Sequence, residues 1–494
     1  MRTIMCSWTL AKLTKTRWQT ILVIIVFLII LMNLMRVLVT SNKSRRRFVA
    51  GSSSKFIWDQ GSLKGPVPYA VPSRPWQYCN SPYLPVHGEE GNVPTGFKLK
   101  SVYILIRHGD RTPMTTFPQL ARHNFDCRLK PSMFPNHTNF QGFVNDLRKQ
   151  QDQRRANDPF KSFPVYPMVK HCDNAQLTGH GVAQHLGIGE YLGEIYNEKL
   201  GLLKEDFKPK QILLRSTKYT RTYQSALAFL YGFLPKFQLS HLKFEPGIIT
   251  FCNPRFITGG CNCRFHNVIH RNVPMEVKIL GGDQWTDGFK DACDSLGLNV
   301  KPHMAPNIMD TLNGRFCHGA PLPCIDGKPC DADEIMKGVW DIIDRNGRLQ
   351  IQSDSYQKSQ RLLMHPMLKE IATMMNDRIN SPAKNRTKFV LFSGHDITIT
   401  ALNTALGVHE GFWPPYASRI VFELYSSKGS HDVKYFIKVL FNGRDVTKFV
   451  RFCKEKLLGG LCPFERFMEF VQVENLKEMF GVEKYAEACA LHKP

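Results

Sequence analysis

Three short apolar runs punctuate the chain, and each ends in a polar cluster. Ser101-Val102-Tyr103-Ile104-Leu105-Ile106 is apolar almost throughout, the pattern of a strand buried on both faces, and it leads into Arg107-His108-Gly109-Asp110-Arg111-Thr112-Pro113. Gln211-Ile212-Leu213-Leu214 leads into Arg215-Ser216-Thr217, with a helical pattern from about Tyr219 to Phe233. Lys388-Phe389-Val390-Leu391-Phe392 leads into Ser393-Gly394-His395-Asp396, again followed by a helical pattern, to about Leu406. Buried strands alternating with helices predict an α/β domain with a central, mainly parallel sheet. In such sheets ligands bind at the carboxyl ends of the strands, so the three clusters are expected to share one crevice. Residues 115–205 and 240–385 are longer than single crossovers and are expected to include a helical cap. Thr178 is the expected N-cap of a helix reaching about Leu200.

Ahead of the first strand the pattern changes twice. Residues 18–39 form the one membrane-like stretch, interrupted by Asn33 and ending near Arg36, which can snorkel. We read residues 1–17 as a cytoplasmic tail, 18–39 as a transmembrane signal anchor, 40–96 as a lumenal stem rich in Ser, Gly and Pro, and 97–494 as the folded domain. A cleaved signal peptide ending at Val39-Thr40-Ser41 is the competing reading. The short span suits the thinner membranes of the early secretory pathway, endoplasmic reticulum or Golgi. A single-pass type II arrangement follows from a lumenal domain. Charge does not set that orientation, since four basic residues precede the span and six, counted from Arg36 to Lys55, follow its apolar core.

Composition adds the compartment and the partner. Thirteen of fourteen cysteines lie beyond the anchor, the usage of an oxidising lumen, and the odd count leaves at least one thiol free or paired between chains. Asn136-His137-Thr138 and Asn385-Arg386-Thr387 are glycosylation sequons. The formal charge is +23, of which residues 1–55 hold ten units, leaving a domain still basic enough to favour polyanions. No zinc-finger, RRM or basic-zipper pattern accompanies that charge, so a polyanionic substrate fits better than nucleic acid.

The string from Arg107 to Pro113 sets two guanidiniums around one imidazole at a strand end. Guanidinium forks match phosphate oxygens, and an imidazole with a free lone pair can attack phosphorus. The string resembles the signature of the histidine acid phosphatases, a branch of the histidine phosphatase superfamily, and the resemblance covers about residues 97–480. Leu177-Thr178 with Gly181, Gln184 and Gly187, then Arg215-Ser216-Thr217 with Arg221-Thr222 and Ser225, and finally Ser393-Gly394-His395-Asp396 are similar to further family segments in order and spacing. The resemblance implies a phosphohistidine at His108, phosphoryl binding by Arg107, Arg111, Arg215 and a charged His395, and proton donation by Asp396. It implies no metal and no cofactor. Lys218 stands where the family often carries Asp, which makes it a candidate for substrate selectivity.

Other features have plainer readings. Gly187-Ile188-Gly189 with Gly193 lacks the spacing of a dinucleotide loop. Cys261 and Cys263, and the group Cys317, Cys324 and Cys330, are expected in disulfides rather than around zinc, with Cys453–Cys462 the best candidate bridge. His180 and His185 are expected to be structural. A broad acid phosphatase or inositol polyphosphate phosphatase is the alternative with the same chemistry. A catalytically silent, membrane-tethered polyanion binder is the alternative of another class.

Overall fold

A computed structural model describes residues 73–491 apart from 115, 131–133, 135–136, 155, 259, 381–385, 428–432 and 455–456. The expected anchor and both sequon asparagines, Asn136 and Asn385, lie outside the described residues. Among the described residues no helix is long and apolar enough to cross a membrane.

One eight-stranded sheet organises the domain: β1 (Phe97–Arg107), β2 (Ile212–Thr217), β3 (Phe244–Gly247), β4 (Phe389–Gly394), β5 (Arg419–Ser427), β6 (Tyr435–Phe441), β7 (Arg444–Asp445) and β8 (Cys462–Pro463). Its order is β3-β2-β4-β1-β5-β6-β7, with β8 also on β6. The first four strands pair in parallel, and β1–β5, β5–β6, β6–β7 and β6–β8 pair antiparallel. The expectation of a mainly parallel sheet therefore holds for only half of it. The connection 428–434 is shorter than the dozen or so residues a parallel crossover needs, so β6 has to return as a hairpin.

The three predicted strands are β1, β4 and β2, side by side, so their polar ends meet. Alternation along β1 divides its side chains between two cores. Val102, Ile104 and Ile106 face one, shared with α1 (Gly179–Gly193) and α2 (Thr220–Phe233). Tyr103 and Leu105 face the other, and a separate core is built around α3 (Ala305–Phe316) and α4 (Ala332–Gln350). The second face of the sheet is covered by α5 (Asp354–Asn380) and α6 (Asp396–Leu406). Within residues 115–205 and 240–385, α1 and α5 cover the sheet, and the core apart from it is that of α3 and α4.

Thr178 caps α1 as expected, its hydroxyl accepting from the Gly181 amide, and a π-helical turn, Glu194–Lys199, carries the chain on toward Leu200. Residues 73–96, read as part of the stem, pack on the domain. Arg74–Cys79 is helical, Arg74 pairs with Asp344 at 2.8 Å, and Arg419 pairs with the buried Glu90 at 2.7 Å.

Six disulfides join Cys79–Cys317, Cys127–Cys172, Cys252–Cys261, Cys263–Cys489, Cys324–Cys330 and Cys453–Cys462. The cysteines weighed for zinc are all in bridges, Cys453–Cys462 is among them, and the odd thiol of the domain is the buried Cys293.

Candidate active site

Backbone contacts shape the loop after β1. A Cβ at Gly109 would collide with the backbone of Gly181, and one at Gly181 with that of Asp110, so two glycines let the loop rest on the first turn of α1. The loop amides are then taken by side chains: Gly109 N–H donates to Ser225 Oγ at 3.0 Å and Asp110 N–H to Gln184 Oε1 at 2.8 Å. His185, from α1, donates Nε2–H to the Arg107 carbonyl at 3.0 Å, the structural part expected of it.

His108 is held with its Nδ1 2.8 Å from the carbonyl oxygen of Gly109. A carbonyl only accepts, so Nδ1 carries the proton and Nε2 keeps the lone pair. Burial, then the charges of Arg221, Arg107 and Arg111 with His395, push the imidazole well below its ordinary range. It is therefore neutral at pH 7, with a nucleophilic nitrogen. The ring is buried at 2% exposure.

Arg107 is fully buried. Its Nη1 donates to the Pro414 carbonyl, and its Nη2 to the Tyr78 hydroxyl at 2.8 Å and to Asp396 Oδ2 at 2.9 Å. Tyr78 and Tyr416 flank its guanidinium at 5.1 and 4.6 Å. Arg111 pairs through Nη2 with Asp310 of α3 at 2.8 Å. The Nε–H groups of Arg107, Arg111 and Arg221 are buried with no hydrogen-bond partner among the described residues.

The second segment corrects one assignment. Arg215 does not face the nucleophile: its Nε meets Glu245 at 3.1 Å and its Nη1 meets the buried Glu370 at 2.6 Å. Two carboxylates occupy that guanidinium, which makes it a link between β2, β3 and α5. The cation beside His108 is Arg221, on the first turn of α2, with Nη2 3.5 Å from Nδ1 of His395. Burial and the neighbouring Arg111 bring Arg221 down to about 10. Its position in the matching segment was visible in the sequence, but the strand-end arginine drew the assignment.

His395 places Nε2 2.9 Å from Thr217 Oγ1, and the ring of Tyr219 packs edge-on at 4.9 Å. Burial and Arg221 lower its pKa to about 4, so it is neutral at pH 7 and not the charged group expected. Asp396 opens α6. Its Oδ2 accepts from Arg107 and from the Trp413 indole N–H at 3.0 Å, and its Oδ1 accepts from the Ile397 amide at 2.7 Å. Burial alone would raise this carboxyl, but Arg107, the Trp413 hydrogen bond and Arg111 outweigh it and hold it low.

Behind the loop, Asp110 accepts from Thr178 Oγ1 at 2.5 Å and from His318 Nε2 at 2.7 Å, and His180 stacks on His318 at 4.2 Å with 5° between planes. These three residues could converge on a cation by distance, yet parallel imidazoles direct their in-plane lone pairs along separate lines. Lys218 is exposed and has no ion pair among the described residues. It lies between Thr217 and Tyr219, the two residues against His395. Tyr78, Asp310, His318 and Trp413 were missed in the sequence, because each comes from a segment far from the strand ends.

Residues 98–322 and 348–442 match the histidine phosphatase superfamily (branch 2), and the chain belongs to that family. It is a phosphatase of that kind. Similar curated proteins include 2-phosphoxylose phosphatase 1 of Xenopus tropicalis, 31% identical over 425 residues that cover 83% of this chain and 81% of the relative. The 2-phosphoxylose phosphatase 1 of Danio rerio is 30% identical over 484 residues, covering 92% and 93%. Human prostatic acid phosphatase is 25% identical over 390 residues, covering 76% and 85%. Among solved structures, the multiple inositol polyphosphate phosphatase of Bifidobacterium longum in its apo form is similar in fold, with a TM-score of 0.50 and 14% identity over 81% of this chain and 98% of that one.

Proposed function

We propose that the chain removes the 2-phosphate of xylose in the glycosaminoglycan–protein linkage region of proteoglycans, through a phosphohistidine at His108. The observation that carries the chemistry is the neutral His108, its Nδ1 engaged by the Gly109 carbonyl and its Nε2 lone pair set among Arg107, Arg111 and Arg221. The substrate reading rests on the similarity to the 2-phosphoxylose phosphatases across most of both chains.

In the first step Nε2 of His108 forms a bond to phosphorus as the bond to the sugar oxygen breaks. The electron pair goes to that oxygen, which takes its proton from Asp396. In the second step water attacks phosphorus, gives its proton to the Asp396 carboxylate, and the P–N electron pair returns to His108. Arg107, Arg111 and Arg221 donate to the equatorial oxygens as negative charge spreads over them, and His395, its Nε2 on Thr217 Oγ1, sits with its Nδ1 beside Arg221. A silent polyanion binder would need neither the lone pair of His108 nor the carboxyl of Asp396.

The same reading places the enzyme in the Golgi lumen on a single-pass type II anchor at 18–39, glycosylated at Asn136 or Asn385, beside the enzymes that extend the glycan. Six disulfides in one domain favour such an oxidising compartment. The test is rapid-quench trapping of a phosphohistidine on linkage-region glycan, with inositol phosphate and aryl phosphate in parallel. Labelling at His108, with the glycan giving the highest kcat/KM, is expected. Absence of label, or preference for inositol phosphate, overturns the corresponding half of the reading.

A further inference from the structure

The catalytic string leans on a segment that precedes the family match. Tyr78 lies in the short helix Arg74–Cys79, ahead of residue 98 where the matched region begins. We propose that this helix and the Cys79–Cys317 disulfide form a positioning clamp that holds the His108 loop from both sides. The proposal rests on the phosphohistidine reading above.

One jaw is Tyr78, which is buried at 1% exposure. Its hydroxyl accepts from Arg107 Nη2 at 2.8 Å and its ring sits 5.1 Å from the guanidinium, while its carbonyl accepts from the Tyr416 amide at 3.1 Å. Burial pushes the phenol pKa up, so the hydroxyl stays protonated. With Nη1 on Pro414 and Nη2 shared between Tyr78 and Asp396, the guanidinium of Arg107 is fixed in plane and rotation. The Nε–H and the second Nη1–H are the donors left over for a phosphoryl oxygen.

The other jaw is the end of α3. Asp310 pairs with Arg111 Nη2 at 2.8 Å and also accepts from the Met114 amide at 2.7 Å. One residue beyond Cys317, His318 donates to Asp110 at 2.7 Å. Cys79 adjoins Tyr78 and Cys317 adjoins His318, so a single covalent link, closing a sequence separation of 238, joins the supports of Arg107 and Asp110. The string Arg107–Arg111 lies between them. The short helix is also held by Arg74 on Asp344, by Trp76 on Asp333, by the Gln184 side chain on the Cys79 carbonyl at 2.8 Å, and by Tyr78 packed against Trp340 and Tyr416. A six-residue helix is marginal alone, so the disulfide adds a covalent restraint to the contacts that keep the tyrosine in register with the arginine.

The test compares full-length chains in detergent: wild type, Tyr78→Phe, Cys79→Ser/Cys317→Ser, their combination, and Cys453→Ser/Cys462→Ser as a second disulfide removed elsewhere. The readouts, taken well below each melting temperature, are kcat, KM and inhibition by inorganic phosphate. Tyr78→Phe keeps the ring and loses one hydrogen bond to a charged group. It is expected to lower kcat/KM about tenfold and to weaken phosphate inhibition comparably. Cys79→Ser/Cys317→Ser is expected to do the same, the combination to add little more, and the control pair to keep wild-type kcat/KM.

The clamp is overturned if Tyr78→Phe keeps kcat/KM and phosphate inhibition within twofold of wild type. Losses that multiply in the combination, or an equal loss in the control pair, would also overturn it. Should the double serine variant not fold, Tyr78→Phe alone decides. Failure of the underlying reading would show separately, as wild type without label at His108.

Discussion

Asp396 Oδ2 lies 2.9 Å from Nη2 of Arg107, so the group assigned to give up a proton rests as a carboxylate. Its pKa is held below the ordinary carboxylate value, and the protonated fraction therefore grows only as pH falls. Phosphate monoesters also lose their second proton near about pH 6. Both sources of the leaving-group proton shrink as pH rises. We expect kcat/KM to decline from about pH 5 to pH 8, with a limiting slope near one decade per unit. Asp396→Asn should cost least for aryl phosphates with acidic leaving groups and most for sugar phosphates. A rate series over graded leaving groups checks this, and equal losses across it would remove Asp396 from the acid role.

Arg215 and Arg221 separate stability from chemistry. Arg215→Ala leaves the carboxylate of Glu370, fully buried, without its cation, a loss on the order of 3 kcal/mol for such pairs. The melting temperature should fall by several degrees. Arg221→Ala should leave melting nearly unchanged, since no carboxylate is paired to Arg221 among the described residues, and should lower kcat/KM by about a hundredfold or more. Thermal denaturation and steady-state kinetics on both variants check the assignment. The opposite pattern would return Arg215 to the site.

That pair also shows where sequence stops being informative. The three strand ends were legible because a strand buried on both faces leaves a continuous apolar run, and a run that stops at Arg or His marks a crevice. Thr178 was legible because capping is a local interaction. Which arginine points inward depends on whether acids such as Glu370, more than a hundred residues away in sequence, claim the other one. The antiparallel half of the sheet escaped for a related reason, as the direction in which β5 pairs with β1 is set by contacts between strands far apart in sequence. Tyr78, Asp310, His318 and Trp413 act through contacts across the fold, and nothing in their local sequence distinguishes them.

The pair His318–Asp110 makes stability depend on pH in a stated direction. Asp110 raises the pKa of His318 against the effect of burial, and His318 lowers that of Asp110 against its own. For the raised histidine, the contribution is complete below its unfolded value of about 6.5 and is lost as pH rises through the folded pKa. For the lowered aspartate, it is present above about 3.9 and lost as pH falls. The pair should stabilise the loop most between these limits. Melting curves from about pH 4 to pH 9 should show wild type losing stability on the alkaline side, and His318→Gln should flatten that limb. A limb unchanged in the variant would assign it to another group.

Lys218 decides whether charge outside the phosphate site selects the substrate. It is exposed, and its chain neighbours Thr217 and Tyr219 both contact His395, so it lies one residue from the edge of the site. A phosphorylated glycan with uronic carboxylates presents several negative charges, whereas the site holds one phosphate. Cations at the rim would raise the encounter rate and add binding away from the reacting bond. Such attraction is screened over about 8 Å at physiological ionic strength. We therefore expect kcat/KM for linkage-region glycan to fall steeply with added salt, and that for a small aryl phosphate to fall much less. Lys218→Asp should reduce the glycan rate several-fold and spare the aryl phosphate. Parallel salt curves for the two substrates, with no selective effect of the substitution, would move selectivity from charge at the rim to the shape of the site.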